Sequence, residues 1–370
     1  MTIIFYDINL LNQKKYIGEI INRLILDRQN DIIVMYDEYN EEGFKFFLNK
    51  RCKVVKNTAL SYTGMRAKLL YYQPNVFVVN AQRLSDTAYV TVAKSLMIKT
   101  MMIQHGMYIP FLKRERFYLF KKIHKTFKYF LYSQVIAKTL GYNGVLVFRD
   151  FYKTFISGEI YKKSISYTSK INVDNVLVYG EYWKKYHNDI FGYESRQQHI
   201  IGYHELNKVN EIREKPFEKN AVCYIAQTLM EDGRLDKETI ISFIKVLSKI
   251  ADTKKVYIKL HPRSDKSLYA DERFILLEKD IPNVSTYLGH YSSLIALLGH
   301  LDGQIVLYEI KGHTIPFYFK DFSNIVSTYD EIFHFVNSQF KINNKSEIIE
   351  KYFSKSFSVE KVIDIMKKLR

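Results

Sequence analysis

Two short stretches in the second half of the sequence put polar and titratable side chains where an anion can be held. Val256-Tyr-Ile-Lys-Leu260 has the composition of a strand and runs directly into His261-Pro262-Arg263. Proline stops the strand and fixes its own φ, so the His261 imidazole is held at the strand's carboxyl end, where a phosphate would sit. Val284 to Ile295 reads as strand, turn and helix, with Gly289 in the turn and Ser292 and Ser293 at the N-cap and first helical turn. Free amides and the dipole of a helix start favour an anion there, and two hydroxyls add neutral donors. Each stretch also has a plainer reading: a histidine that caps a turn, and serines that only cap a helix. Both follow consecutive strands of one series, so they converge on one crevice.

Two further positions complete the set. Ala221 to Ala226 predicts a strand whose following turn carries Gln227 and Thr228, candidates for contacts to the same ligand. In the first half, Thr100-Met-Met-Ile-Gln104 leads into His105-Gly106. An imidazole at a strand end can take a proton near neutral pH, or it can be a satisfied structural histidine.

What is missing narrows the chemistry. The sequence has no G-x-G-x-x-G, no G-x-x-x-x-G-K-[ST], no Asp-x-Asp pair and no Cys/His cluster at zinc spacing. The expectation is a reaction with no redox cofactor and no metal requirement. Cys52 and Cys223 are the only cysteines and stand far apart in apolar runs, which predicts buried free thiols in a reducing compartment.

These residues need a frame that alternates strands with helices. Short β-branched and aromatic runs alternate with segments of helical period, the pattern of parallel strands and crossover helices, so the fold class is α/β. Expected strands in the first half are Ile3–Tyr6, Ile32–Tyr36, Lys53–Val55, Val76–Val79, Met101–Gln104, Val145–Phe148 and Val176–Tyr179. Between the first two, Tyr16, Ile17, Ile20, Ile21, Leu24 and Ile25 mark one apolar helix face. A polar, charged stretch with Pro216 predicts a linker over 205–220, and a second series follows. Its strands are Ala221–Ala226, Val256–Leu260, Val284–Tyr287 and Gln304–Leu307, with a helix over about Lys237–Ile250 capped by Asp236. The predicted division is 1–204, linker 205–220, 221–350, and a C-terminal piece 351–370 with an amphipathic helix that can cross back to the first domain. Ligands of such tandem domains bind in the cleft between them.

In this frame the motifs resemble the GT-B transferases of bacterial capsule, lipooligosaccharide and teichoic acid assembly. Leu260-His261-Pro262 with Gly289-His290-Tyr291-Ser292-Ser293 is similar to the nucleotide domain of bacterial sialyl- and polysialyltransferases, and also to that of CDP-glycerol glycerophosphotransferases. Gln104-His105-Gly106 resembles the strand-His-Gly of the glycerophosphotransferases, whereas Gln227-Thr228-Leu229 is closer to the sialyltransferases. The similarity covers roughly residues 100–320 in short motifs. It implies two Rossmann-like domains facing each other across a cleft, with an acceptor domain first and a nucleotide-sugar domain second. It implies an inverting transfer of a sialic-acid-type sugar from a CMP-activated donor to a glycan or lipid-linked acceptor. The alternatives are glycerophosphate transfer and a catalytically inactive glycan-binding subunit. His261, Pro262, Gly289, Ser292, Ser293, Gln227 and Thr228 would hold the donor, and His261 would serve the leaving phosphate. Sialyltransferases of this kind place a carboxylate base in an N-terminal acidic pair before a glycine. Glu231-Asp232-Gly233 has that form but lies in the nucleotide domain, and the strand end in the first half offers His105-Gly106 instead, so His105 is the expected base.

Charge points to the partners. The chain has 370 residues and 55 Lys plus Arg against 39 Asp plus Glu, a formal net charge of +16. Phe111 to Phe130 interleaves Lys113, Arg114, Arg116, Lys121 and Lys122 with aromatic rings and a single acid, Glu115. Such an element can lie on the anionic inner membrane, line an acidic acceptor groove, or simply keep a basic face in water. No nucleic-acid motif accompanies it, so nucleic acid is not an expected partner. An N-terminus without a basic n-region, and apolar runs short of the roughly 18 residues of a membrane span, predict a cytoplasmic, peripheral protein.

Overall fold

A computed structural model describes residues 1–107, 118–157, 165–231, 235–310, 314–338, 342–343, 345–355 and 357–369. Contacts divide the chain into two compact units. The first comprises Met1–His105, Leu119–His204 and Ser354–Arg370, and the second contains Glu205–Phe353.

The first unit is built on β1 (Thr2–Asn9), β2 (Asp31–Glu38), β3 (Lys53–Lys56), β4 (Val76–Val79), β5 (Lys99–Ile103), β6 (Asn175–Val178) and β7 (Gln198–Ile200). All pair in parallel, in the order β3-β2-β1-β4-β5-β6-β7. The central strands are apolar on both faces, as helices packed on each side require. β4 is buried at all four residues. The apolar face of helix Leu10–Leu24 packs Ile17, Ile20, Ile21 and Leu24 onto Ile3, Phe5, Ile32 and Val34.

The second unit repeats the plan with β8 (Phe217–Ile225), β9 (Lys255–Lys259), β10 (Phe274–Leu277), β11 (Asn283–Gly289), β12 (Gln304–Tyr308) and β13 (Asn324–Val326). These too are parallel, in the order β10-β9-β8-β11-β12-β13. Helix Lys237–Ala251 starts where expected, with Asp236 Oδ1 accepting the Thr239 amide at 2.7 Å, and buries Ile240, Phe243, Val246, Leu247 and Ile250.

The C-terminal segment belongs to the first unit. Helix Val359–Lys368 packs Val362, Ile363 and Met366 onto the cluster holding Ile17, Ile20, Ile21, Leu24 and Ile201. Gly202 permits this close approach. Its φ is +79°, and a Cβ there would lie 2.3 Å from the Phe357 nitrogen and 2.7 Å from the Ser354 oxygen.

Three expectations are corrected. Val145–Phe148 is not a strand but part of helix Gly144–Ser157: Asn143 Oδ1 caps it at Val145 N (2.9 Å), and Val147 and Phe151, four apart, are buried. A short apolar run has no period to separate the two states. The stretch 205–220 is no linker, since Leu206–Arg213 is a helix burying Leu206, Val209 and Ile212, and β8 begins at Phe217. Its charged residues occupy the outer face and mask a three-residue apolar recurrence. β7, β10 and β13 were not anticipated; they are edge strands of three or four residues, too short to show alternation.

Candidate active site

In an open parallel sheet, ligands bind beyond the strands' carboxyl ends where the strand order reverses. In the second unit that reversal lies between β8 and β11. The Gln227 side chain spans it, its Nε2 donating to the Tyr291 carbonyl. On the other flank of β8, Arg263 Nη2 donates to Thr228 Oγ1 at 3.1 Å, and the Ala226 amide bonds the Lys259 carbonyl at 3.0 Å. The loops after β9, β8 and β11 are thus tied side by side. The structure brings Gln227, Thr228, His261, Pro262, Gly289, Ser292 and Ser293 to one edge of one sheet.

His261 is exposed at the end of β9. Its Nδ1 accepts the Arg263 amide at 3.2 Å, and its own amide donates to Ser264 Oγ at 3.1 Å. An Nδ1 that accepts leaves the proton of the neutral ring on Nε2, so the imidazole presents a donor to an incoming anion. Ser292 is the N-cap, its Oγ accepting the Ile295 amide at 3.1 Å; its hydroxyl proton is still a donor. The helix it opens, Ser293–Leu297, is five residues long and tightens into a 3-10 turn at Leu298–His300. The expected helix dipole is therefore small, and hydroxyls and first-turn amides would supply the stabilisation. Gly289 is buried, and a Cβ on it would meet Ile295 Cδ1 at 2.9 Å and the Ile225 carbonyl at 3.3 Å. The neighbouring His290 has a structural role: it is 3% exposed, sits 3.0 Å from the Tyr308 carbonyl through Nδ1, and packs against Tyr224, Phe243 and Tyr308. Glu231 accepts the Asp265 amide at 2.8 Å, while Asp232 lies outside the described residues.

In the first unit, His105 is half-buried just past the end of β5. Gln104 sets its position: the Gln104 amide bonds the Leu177 carbonyl at 2.9 Å, and its Oε1 accepts the Tyr179 amide at 3.2 Å, so β5 and β6 end in register. Gly106 turns away with φ +67°.

The order of this sheet reverses between β1 and β4, and there the structure shows a cluster the sequence reading missed. Arg83 bridges two buried carboxylates, with Nη1 2.6 Å from Asp7 Oδ1 and Nε 2.7 Å from Asp86 Oδ2. Asn80 Nδ2 donates to Asp7 Oδ2 at 3.1 Å. Burial pushes the Asp86 carboxyl up to about 6 despite Arg83. On β2, Asp37 accepts from the Tyr6 hydroxyl (3.0 Å) and Asn57 Nδ2 (2.8 Å), and burial raises its pKa against those bonds. An Asp ending an apolar strand was a legible signal at Asp7; its partners were not. Strands β2 and β5 are three spacings apart, about 14 Å at ~4.8 Å each, so Asp37 and His105 cannot serve one hydroxyl. The two thiols are inert: burial pushes Cys52 up to about 11 and Cys223 up to about 12.

Residues 2–284 match the profile of the family Alpha-2,8-polysialyltransferase (POLYST). The chain belongs to that family. It is a glycosyltransferase of surface-glycan assembly, taking a nucleotide-sugar donor and a glycan acceptor. No curated protein sequence matches it. Among solved structures, the glycotransferase of kitacinnamycin is similar at TM-score 0.59 and 9% identity, covering 100% of this chain and 98% of the other. The UDP-GlcNAc 2-epimerase from Methanocaldococcus jannaschii gives 0.55 and 12%, covering 99% of each. The wall teichoic acid polymerase TagF gives 0.52 and 15%, covering 100% of this chain and 88% of the other. At these identities the likeness is one of fold, and the fold is GT-B.

This polysialyltransferase-family chain carries one more surface feature. Lys113, Arg114 and Arg116 lie outside the described residues, as do the side chains of Lys121 and Lys122 in helix Tyr118–Leu140. Further along that helix Ile123, Phe127 and Phe130 recur at four and three, and are 59%, 57% and 41% exposed. After a turn at Gly141 the chain doubles back in helix Gly144–Ser157, with Phe148 edge-on to Phe130 at 5.5 Å and Val145 69% exposed. Lys125, Lys128, Arg149 and Lys153 are interspersed with these apolar groups along the sequence of the two helices. Among the described residues no helix is long and apolar enough to cross a membrane.

Proposed function

We propose that the chain transfers a nonulosonic, sialic-acid-type sugar from a CMP-activated donor to a bacterial capsule or lipooligosaccharide glycan, with inversion and without a metal. The observation that supports this most is the joining of three loops at the switch point of the second sheet, by Gln227 to Tyr291 and Arg263 to Thr228, beside the Nε2–H of His261. Four neutral donors at that edge, Gln227, Thr228, Ser292 and Ser293, suit a monophosphate leaving group. As the anomeric carbon leaves the phosphate oxygen, charge grows on the phosphate. His261 stabilises that charge by hydrogen bonding or proton transfer, and the two serines and first-turn amides share it. His105 takes the proton from the attacking acceptor hydroxyl.

His105-Gly106 favours a second reading, a CDP-glycerol-type glycerophosphotransferase, in which the same residues serve a phosphoryl centre. Thermal shifts in EDTA separate the two. At 100 times its Kd a true ligand stabilises by about 2.7 kcal/mol. CMP is expected to give the largest shift among CMP, CDP, UMP and UDP. A larger shift with CDP would favour the second reading, and preference for UDP or a need for added metal would overturn the CMP proposal.

We also propose that the exposed face of the helix pair docks on the anionic inner leaflet, placing the protein peripherally on the cytoplasmic membrane. Apolar side chains at the headgroup boundary with lysines among them have the composition of an interfacial element. Phe127→Asp with Lys128→Glu is expected to lower partition onto vesicles rich in anionic lipid by roughly tenfold or more, at about 1 kcal/mol per basic residue plus the lost ring. Binding that ignores both lipid charge and salt would remove the membrane from the account.

A further inference from the structure

The second unit holds a cavity of about 700 Å³ at the opposite edge of its sheet from the candidate donor residues. Phe217, Gln304 and Asn324, the first residues of β8, β12 and β13, line it, so it lies at the strands' amino ends. Arg213, Lys219 and Lys345 line it as well, with Asp302 the one acid among its described lining residues.

The site is built rather than incidental. Arg213 is held by Nη2 to the His300 carbonyl at 2.9 Å and Nη1 to Asn210 Oδ1 at 3.0 Å, which fixes the guanidinium plane. Lys345 Nζ donates to the Gly303 carbonyl at 2.6 Å. Gly303 is required there, because a Cβ would lie 2.2 Å from the Val284 oxygen. Burial lowers the Lys345 ammonium to about 8 even though the Asp302 carboxylate works in the opposite direction.

Two amides lining the cavity have unmet hydrogen bonds. Gln304 is 7% exposed; its Nε2 is taken by Thr286 Oγ1 (3.0 Å), the Phe335 carbonyl (2.5 Å) and the Ser338 carbonyl (3.2 Å), while its buried Oε1 has no partner. Asn324 Nδ2 is likewise buried without one. An unpaired acceptor calls for a hydroxyl or N–H donor, which an inorganic anion at neutral pH lacks or offers weakly; the three cations call for negative charge. A sugar unit bearing a carboxylate or phosphate has both, and the volume holds one or two such units, in the usual range of roughly 300–1,000 Å³.

We propose that this cavity is a second, non-catalytic binding site for an anionic saccharide on the nucleotide domain. It stands independently of the donor proposed above. The test is calorimetric titration of the full chain with glucuronic acid, glucose 6-phosphate, neutral glucose and inorganic phosphate. One or both acidic sugars are expected to bind, which also separates carboxylate from phosphate as the preferred group, with glucose and phosphate roughly tenfold weaker or silent. Arg213→Glu, at an exposed residue, and Lys345→Met are each expected to weaken acidic-sugar binding about tenfold or more. His261→Ala should leave it unchanged, and the CMP thermal shift should survive Arg213→Glu. Should Lys345→Met fail to fold, Arg213→Glu alone decides. Phosphate binding as tightly as the acidic sugars would overturn the saccharide assignment. Loss in His261→Ala with retention in Arg213→Glu, or no binding at roughly 10 mM probe, would overturn the site itself.

Discussion

His261→Ala lowers sugar transfer by roughly 10²- to 10³-fold, the usual cost of removing one preorganised donor from a developing anion. The residue is exposed at the end of β9, so the fold should tolerate the change and the melting temperature should stay within about 1 °C of the parent. The loss is expected in kcat more than in KM, because the Nε2–H meets most charge when the phosphate departs. His105→Ala should lose about 10²- to 10⁴-fold by a different route, as removal of a general base, while CMP still binds. Together the pair decides between an enzyme that uses these histidines and a glycan-binding relative: full transfer by both variants would end the catalytic proposal. If Asp37→Asn abolishes transfer while His105→Ala does not, the proton is taken at β2 instead.

Arg83→Met is expected to destabilise the first unit by about 3–5 kcal/mol, because it strands two carboxylates with no cation between them. Asp7 is 0% and Asp86 1% exposed, and Arg83 makes its two contacts at 2.6 and 2.7 Å. For a domain of this size that corresponds to a melting temperature lower by roughly 10 °C. The pH dependence follows from protonation. In the parent, burial already lifts Asp86 to about 6, above its unfolded value, so its contribution is present at low pH and lost as pH rises through about 6. Without Arg83 the Asp86 carboxyl moves up further, the folded state holds a proton that the unfolded chain has released, and the variant regains stability as pH is lowered from neutrality. Asp86→Asn added to Arg83→Met should recover part of the loss. A single variant within about 1 kcal/mol of the parent at all pH would show that water, not Arg83, satisfies these acids.

Much of the candidate donor edge was readable from local chemistry. Pro262 after an apolar run ends a strand wherever the run lies in the fold, and serine after a glycine turn caps a helix by its own side chain, so His261 and Ser292 could be placed without tertiary information. Val145–Phe148 failed for the opposite reason. Nothing local says whether an apolar run of four is covered on both sides or on one stripe, and here packing against Val147 and Phe151 decided for a helix. The charges of 205–220 hid Leu206, Val209 and Ile212 in the same way, since burial of every third residue is visible only once something lies on top of it.

Local residue patterns carried the alternation of elements, the strand-end motifs and the distribution of charge, and hence the resemblance to surface-glycan transferases. Strand order emerges only in the folded sheets, because parallel pairing joins residues far apart in the chain and no spacing encodes which strand lies beside which. That order makes Gln227 and Tyr291 neighbours, gives His290 a structural role beside Ser292, gathers Asp7, Arg83 and Asp86 from two strand ends, and closes a cationic cavity at the far edge of the second sheet. Apart from the local Arg83–Asp86 pair, each joins groups distant in sequence, and the free energy of such contacts exists only after the sheet has formed.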